Sequence, residues 1–171
     1  IDKYNINLTD ENKMISPLVT AILENNDYIF EKLNSIDVNY NIRDYRGVSY
    51  LQYCILYENE RYFNKILTNI NIKKYNFNNV NIDGQTLLHS ILYNISFLKY
   101  TIKCKLLDKI IINTNLNVKD NLGNSCFLLI CRYNIWYQYF NIIESQPINA
   151  FLKNHNNEKP IDFIKKDEED E

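Results

Sequence analysis

The sequence of 171 residues predicts an all-α solenoid of about four helix-turn-helix repeats, closed by a truncated C-terminal fifth, with hairpin-like turns between repeats. Three observations predict it. First, a short frame recurs whose Ser/Thr slot is filled by Ser16, Ser49, Thr86, Ser125 and, with a weaker letter, Lys159, at intervals of 33, 37, 39 and 34 residues. Self-similarity at a period of roughly 20–50 residues marks stacked repeats. Second, all three glycines of the chain, Gly47, Gly84 and Gly123, fall two residues before that slot. Third, Asp44, Asn81, Asp120 and Asn154 fall five residues before it.

Each letter of the frame has a physical role. Asp or Asn followed three residues later by Gly marks a tight turn that needs a positive φ. The Ser or Thr that follows is an N-cap, accepting hydrogen bonds from the orphan N–H groups of the next helix. Pro17 and Pro160 sit at a first helical position, where a missing N–H costs nothing. At Tyr50, Leu87 and Cys126 that proline is replaced, so those helix starts lean on the cap alone.

Taken in order, residues 1–15 are polar and irregular, with Ile6-Asn7-Leu8 as a strand-like arm. A first helix is expected from Pro17 to Glu24, and Asn25-Asn26 supplies a left-handed C-cap. A second runs from Asp27 to Asn34, with Ile29, Phe30 and Leu33 as its inward face. The second repeat places helices at 50–57 and 60–68, the latter facing inward with Tyr62, Phe63, Ile66 and Leu67. Residues 70–76 absorb the long interval that follows. The third repeat has a helix at 87–94. It then has one long second helix over 96–113, a span free of Gly and Pro, with Leu98, Ile102, Leu106 and Ile110 on one face. Its surplus length should be extruded on the outer side. The fourth repeat reads as helices at 126–133 and 136–145, broken at Asn134, and the fifth as a short helix from Pro160 to about Lys166. Asp167-Glu168-Glu169-Asp170-Glu171 is then a solvated polar end, as a repeat array requires. The whole chain, 1–171, reads as a single repeat domain with units near 11–43, 44–80, 81–119, 120–153 and 154–171.

The frame, strongest in Asp83-Gly84-Gln85-Thr86-Leu87-Leu88-His89-Ser90-Ile91, resembles the ankyrin repeat, with its Asp-x-x-Gly-x-Thr-Pro-Leu-His-x-Ala hallmark. The resemblance spans about residues 6–166, degenerate in letters but strict in register. It implies that His89 bridges neighbouring turns and that Cys54 fills a slot for a small residue. It also implies a binding surface made of hairpin tips and exposed faces of first helices. The tip positions are then Tyr45 and Arg46, Ile82 and Asp83, Asn121 and Leu122, His155 and Asn156. The helix positions seven and eight residues after the slot are Leu23 and Glu24, Leu56 and Tyr57, Tyr93 and Asn94, Arg132 and Tyr133. Tyr45, Arg46, Leu56, Tyr57, Asp83, Tyr93, Asn94, Leu122, Arg132 and Tyr133 form the candidate partner-binding set. Tyr and Arg recur in it, and these residues combine large contact area with polar tips.

Composition sets bounds. With 46% hydrophobic and 23% charged residues the chain reads as folded, and a net charge of −2 gives no global pull toward nucleic acid or an anionic membrane. No apolar run is long enough for membrane insertion. No signal peptide is legible, and the start at Ile1 reads as that of a fragment. Cys54, Cys104, Cys126 and Cys131 lack C-x-x-C spacing and read as buried, reduced thiols of a cytoplasmic protein, with no metal site. The heavy use of Asn, Ile, Lys and Tyr, with 14 Tyr, reads as the codon stamp of an AT-rich genome rather than a functional signal.

Nothing in the sequence assembles a catalytic constellation. His89 and His155 are far apart without a paired nucleophile, and Asp83-Gly84-Gln85-Thr86 has neither the glycines nor the Lys of a phosphate loop. The expectation is a non-catalytic protein–protein interaction module without cofactor, nucleic-acid or small-molecule substrate, binding a protein partner on its concave face. The alternatives are a regulatory or structural ankyrin segment of a larger enzyme, channel or transporter, and a pathogen mimic of host ankyrin regulators.

Overall fold

Residues 15–36 and 38–164 are described by a computed structural model. The strand-like arm at Ile6-Asn7-Leu8, the acidic tail and the last residues expected of the final helix lie outside the described residues. Contacts gather in two units, Ile1–Asn76 with Val80–Ile82, and Phe77–Asn79 with Asp83–Glu171.

In the first unit Ser16 caps α1 (Pro17–Leu23), its Oγ accepting from Val19 N, with Pro17 at the first position. The chain leaves α1 through Asn25, in the left-handed region at φ 48°, and Asn26 N donates back to Ala21 O at 3.0 Å. Asn26 then caps α2 (Asp27–Asn34), its Oδ1 accepting from Ile29 N. The second repeat uses the same joint. Ser49 and Gln52 form a reciprocal capping box on α3 (Tyr50–Leu56). Glu58 takes the left-handed position at φ 53°, and Asn59 caps α4 (Glu60–Asn69).

The core of this unit lies between the two helix pairs. Tyr62, Phe63, Ile66 and Leu67 are buried, as their spacing predicted, and the Phe30 and Tyr62 rings stack at 3.9 Å and 8°. Ser16 Oγ donates to Tyr50 OH at 2.8 Å, tying the first helices of both repeats. Ile29, expected inside, is exposed, and Leu33 is half-buried; only Phe30 of that set is fully covered. Phe30 lies on the side of α2 that meets α4, and Ile29, one residue back, is rotated off it.

In the second unit Thr86 caps α5 (Leu87–Tyr93), and Asn94 alone joins it to α6 (Ile95–Lys103). The single long helix expected over 96–113 is two helices. After α6 the chain turns through Lys105 at φ 55°, with Leu106 N donating to Thr101 O at 2.9 Å and Lys105 N to Ile102 O at 3.0 Å, and restarts as α7 (Leu107–Ile111). This is the hydrogen-bond pattern of a glycine C-cap, made here without glycine. The surplus residues are not extruded, because Leu107, Ile110 and Ile111 of α7 are fully buried. Ser125 caps α8 (Cys126–Arg132), Asn134 makes the left-handed break at φ 51°, and a 3₁₀ turn (Trp136–Tyr139) runs into α9 (Phe140–Ile143). The last helix, α10 (Pro160–Ile164), lacks a Ser/Thr cap; Asp162 Oδ2 accepts from Lys159 N instead.

The turns that open the frames behave alike in both units, with Asn157 at φ 64° in the glycine position of the last. Asp44 Oδ1 accepts from Arg46 N and Val48 N, Asp120 Oδ1 from Leu122 N and Asn124 N, and Asn154 Oδ1 from Asn156 N and Glu158 N, all at 2.8–2.9 Å. Successive tips are linked by one backbone bond in constant register: Ile82 N to Arg46 O, Asn121 N to Asp83 O, and His155 N to Leu122 O. Gly84 has φ 73°, and a Cβ there would lie 2.7 Å from Asn121 Oδ1. Its glycine therefore serves both the turn and the close approach of the next tip.

Candidate interaction surface

The ten candidate residues separate into two kinds. In the first unit Tyr45, at the tip, is 64% exposed, and Leu56 and Tyr57, at the end of α3, are 62% and 57% exposed. Tyr57 lies beside Tyr53, with ring centroids 6.4 Å apart. Arg46 is only partly exposed. Its Nε donates to Asp44 Oδ2 at 3.1 Å and its Nη2 to Tyr53 OH at 3.2 Å, while Tyr53 OH donates to the same Asp44 oxygen at 2.8 Å. The Tyr53 hydroxyl and the Asp44 carboxylate raise the Arg46 pKa above its ordinary value. Burial, first, and the hydrogen bond to Asp44 raise that of the Tyr53 phenol.

In the second unit Asp83 and Leu122 are exposed at successive tips. Tyr93, Asn94 and Arg132 are half-buried, and each has an internal role. Tyr93 OH donates to Asp120 Oδ2 and accepts from Asn124 Nδ2 at 2.8 Å. Burial raises the phenol's pKa, and the bond to Asp120 adds to the shift. Asn94 Oδ1 caps α6, accepting from Phe97 N. Arg132 Nη2 donates to Glu158 Oε2 at 2.6 Å, and its guanidinium lies 5.4 Å from the Phe163 ring centroid. Tyr133, half-buried, is the C-cap of α8. The position seven residues after the slot thus reaches forward onto the next turn in this unit: Tyr93 to Asp120, Arg132 to Glu158. In the first unit Leu56, at the same register, has no polar end to do so.

His89 is fully buried. Its Nε2 lies 3.0 Å from Asn124 O, and its Nδ1 accepts from Thr86 N at 3.2 Å. Burial lowers its pKa. Cys126 Sγ sits 3.2 Å from the same Nδ1, and burial pushes its thiol pKa up to about 12. Neither group reaches solvent. Cys54 and Cys131 are also buried, but Cys104, expected inside, is exposed at the turn between α6 and α7. Among the described residues no group of His, Cys, Asp and Glu is placed to hold a metal ion, and no helix is long and apolar enough to cross a membrane.

One structural role was hidden in composition. Asn41, Asn78 and Asn117 stand eight residues before the slots at 49, 86 and 125. Asn41 donates to Lys74 O and accepts from Asn76 N; Asn78 accepts from Asn115 N; Asn117 donates to Pro147 O and accepts from Asn149 N. The asparagine ladder stitches each return segment to the next. Its signal in the sequence was the constant register, not the abundance of Asn.

No protein-family model matches the chain. A curated relative from Acanthamoeba polyphaga mimivirus, named as an ankyrin repeat protein, is 30% identical over an alignment 173 positions long that covers 86% of this chain. The crystal structure of the ankyrin repeat protein EF0377 superposes with a TM-score of 0.62 at 12% identity, covering 97% of this chain and 81% of that one. The chain has the ankyrin-repeat fold and resembles an ankyrin-repeat protein in sequence. An ankyrin repeat domain from Acinetobacter baumannii AYE gives the same TM-score at 17% identity, covering 94% of this chain and 79% of that one. At such identities the two structures speak for the fold alone. The chain spans about a fifth (21%) of the length of the curated relative it matches. Among the described residues the architecture is the all-α, capped-helix one that the frame predicted, with His89 as the bridge between turns.

Proposed function

We propose that this chain is a non-catalytic module that binds a protein partner through hairpin tips and the exposed ends of first helices. It takes no nucleic acid or small-molecule substrate and works in the cytoplasm. One observation carries the reading: at the tip and first-helix positions of the first unit, Tyr45, Leu56 and Tyr57 are large, apolar and mostly exposed, with no internal hydrogen-bonding duty comparable to that of Tyr93 or Arg132. Large amphipathic side chains left out of the core are the usual anchors of protein interfaces. The resemblance to ankyrin-repeat proteins supports the same class, since ankyrin repeats are generally interaction modules.

The test is affinity capture from native lysate, comparing the wild-type chain with a Tyr45→Ala, Leu56→Ala, Tyr57→Ala variant, both checked for folding by circular dichroism. Loss of a specific protein with the variant supports the reading. Identical captures from both would move the site elsewhere.

A second reading, a regulatory or structural segment of a larger polypeptide, is favoured by the length of the curated relative beyond the aligned region. It places the binding partner on the same polypeptide. A relative's flanking segment added in trans would then bind the wild-type chain and not the variant.

A further inference from the structure

Arg46 is not part of the repeat frame: the same register holds Asp83, Leu122 and Asn156 elsewhere in the chain. Its guanidinium is nevertheless held from several sides. Nε bonds Asp44 Oδ2, one Nη2 hydrogen goes to Tyr53 OH, and Cζ lies 5.6 Å from the Tyr45 ring centroid. Asp44 is fully buried, and each of its carboxylate oxygens already accepts two hydrogen bonds. An arginine has five N–H donors. Two are used here, so the edge formed by Nη1 and Nη2 is left with three, on a side chain that is 41% exposed. That edge is the fork that a carboxylate meets with two parallel bonds. The exposed Tyr45 ring stands beside the guanidinium, and Ile82, exposed on the next tip, donates its N to Arg46 O at 2.7 Å.

Resting on the interaction-module reading, we infer that the first unit's tips bind an extended segment of a partner protein in which an Asp or Glu pairs end-on with Arg46 while flanking apolar side chains cover Tyr45 and Ile82. Charge complementarity selects this occupant. The open donors sit on a cationic fork that a carboxylate matches with two charge-assisted bonds, and Asp44, saturated and buried, offers no carboxylate to a partner's cation. A single arginine on a chain of net charge −2 does not make the basic tract that nucleic acid or an anionic membrane needs. Because the side chain is fixed before binding, little rotamer freedom is lost on pairing.

The experiment is selection of peptides on the full chain from two displayed libraries, one random and one lacking Asp and Glu. The expected result is that binders come from the random library with an acidic residue next to apolar ones. Replacing that acid by its amide should weaken binding by about tenfold or more on the wild-type protein, a change that leaves the fold untouched. Arg46→Gln should weaken the acidic peptide by a similar factor and leave the amide peptide unchanged, the coupling expected of a direct pair. Arg46→Lys, which keeps the charge but loses the fork, should fall between. Equal yields from both libraries, or an amide peptide that binds as well as the acidic one, would overturn the inference while leaving the module reading intact. Binders whose acid must be phosphorylated would likewise overturn the carboxylate assignment. An absence of binders from both libraries would count against the module reading and the inference together.

Discussion

His89 Nε2 lies 3.0 Å from the carbonyl oxygen of Asn124, joining the start of one repeat's first helix to the turn that opens the next. Since a carbonyl only accepts, Nε2 carries the proton, and Nδ1 is left to accept from Thr86 N. The neutral ring is therefore a full participant in two turns. The cationic ring would put a second proton against the Thr86 N–H.

A pH dependence follows. Burial lowers the folded-state pKa of His89 below its ordinary value of 6.5, so the unfolded chain binds the extra proton first. The contribution is fully present above that ordinary value and is lost as pH falls through the folded-state pKa. Urea unfolding should give a lower stability at pH 5.5 than at pH 7.5, and His89→Gln should flatten that difference. An unchanged slope in the variant would remove His89 as its source.

Leu88, next to His89 and fully buried, occupies the Leu slot of the best-preserved frame. Leu88→Ala should destabilise by about 2–5 kcal/mol, the range for a buried large-to-small change. A thermal melt at the wild-type midpoint would contradict the register.

Glu58 and Lys105 hold left-handed backbone at φ 53° and 55° where glycine is the unstrained choice. Glu58→Gly and Lys105→Gly should each stabilise by up to about 1 kcal/mol, the left-handed penalty less the added unfolded-state entropy. Gly84→Ala should do the reverse, by about 1–3 kcal/mol, because a Cβ meets Asn121 at a positive φ. Denaturant midpoints measure all three.

What was legible in the sequence was whatever the local turn chemistry dictates. Asp44, Asp120 and Asn154, the glycines, the caps and Pro17 each act over two to four residues, and the chain spells them out. Part of what was not legible depends on a partner about a repeat away. Tyr93 and Arg132 looked like surface residues because their register faces outward, but their polar ends find Asp120 and Glu158. The break at Lys105 was hidden because a left-handed cap was made without glycine or asparagine. The ladder of Asn41, Asn78 and Asn117 is masked by abundance: in an Asn-rich chain only the fixed register sets these three apart. Ile29 was placed inside because helical spacing shows that two neighbours lie near one face, but not which of them the next helix covers.

The most direct measurement sets Tyr93→Phe beside Tyr57→Ala in equilibrium urea unfolding. The two tyrosines stand one register position apart, and the account gives one to the fold and the other to a partner. Tyr93→Phe removes a hydroxyl that serves Asp120 and Asn124 and should cost about 1–2 kcal/mol. Tyr57→Ala removes an exposed ring and should stay within about 0.5 kcal/mol of wild type. Equal losses, or a larger loss at Tyr57, would contradict the division between residues that hold the repeats together and residues left free to bind.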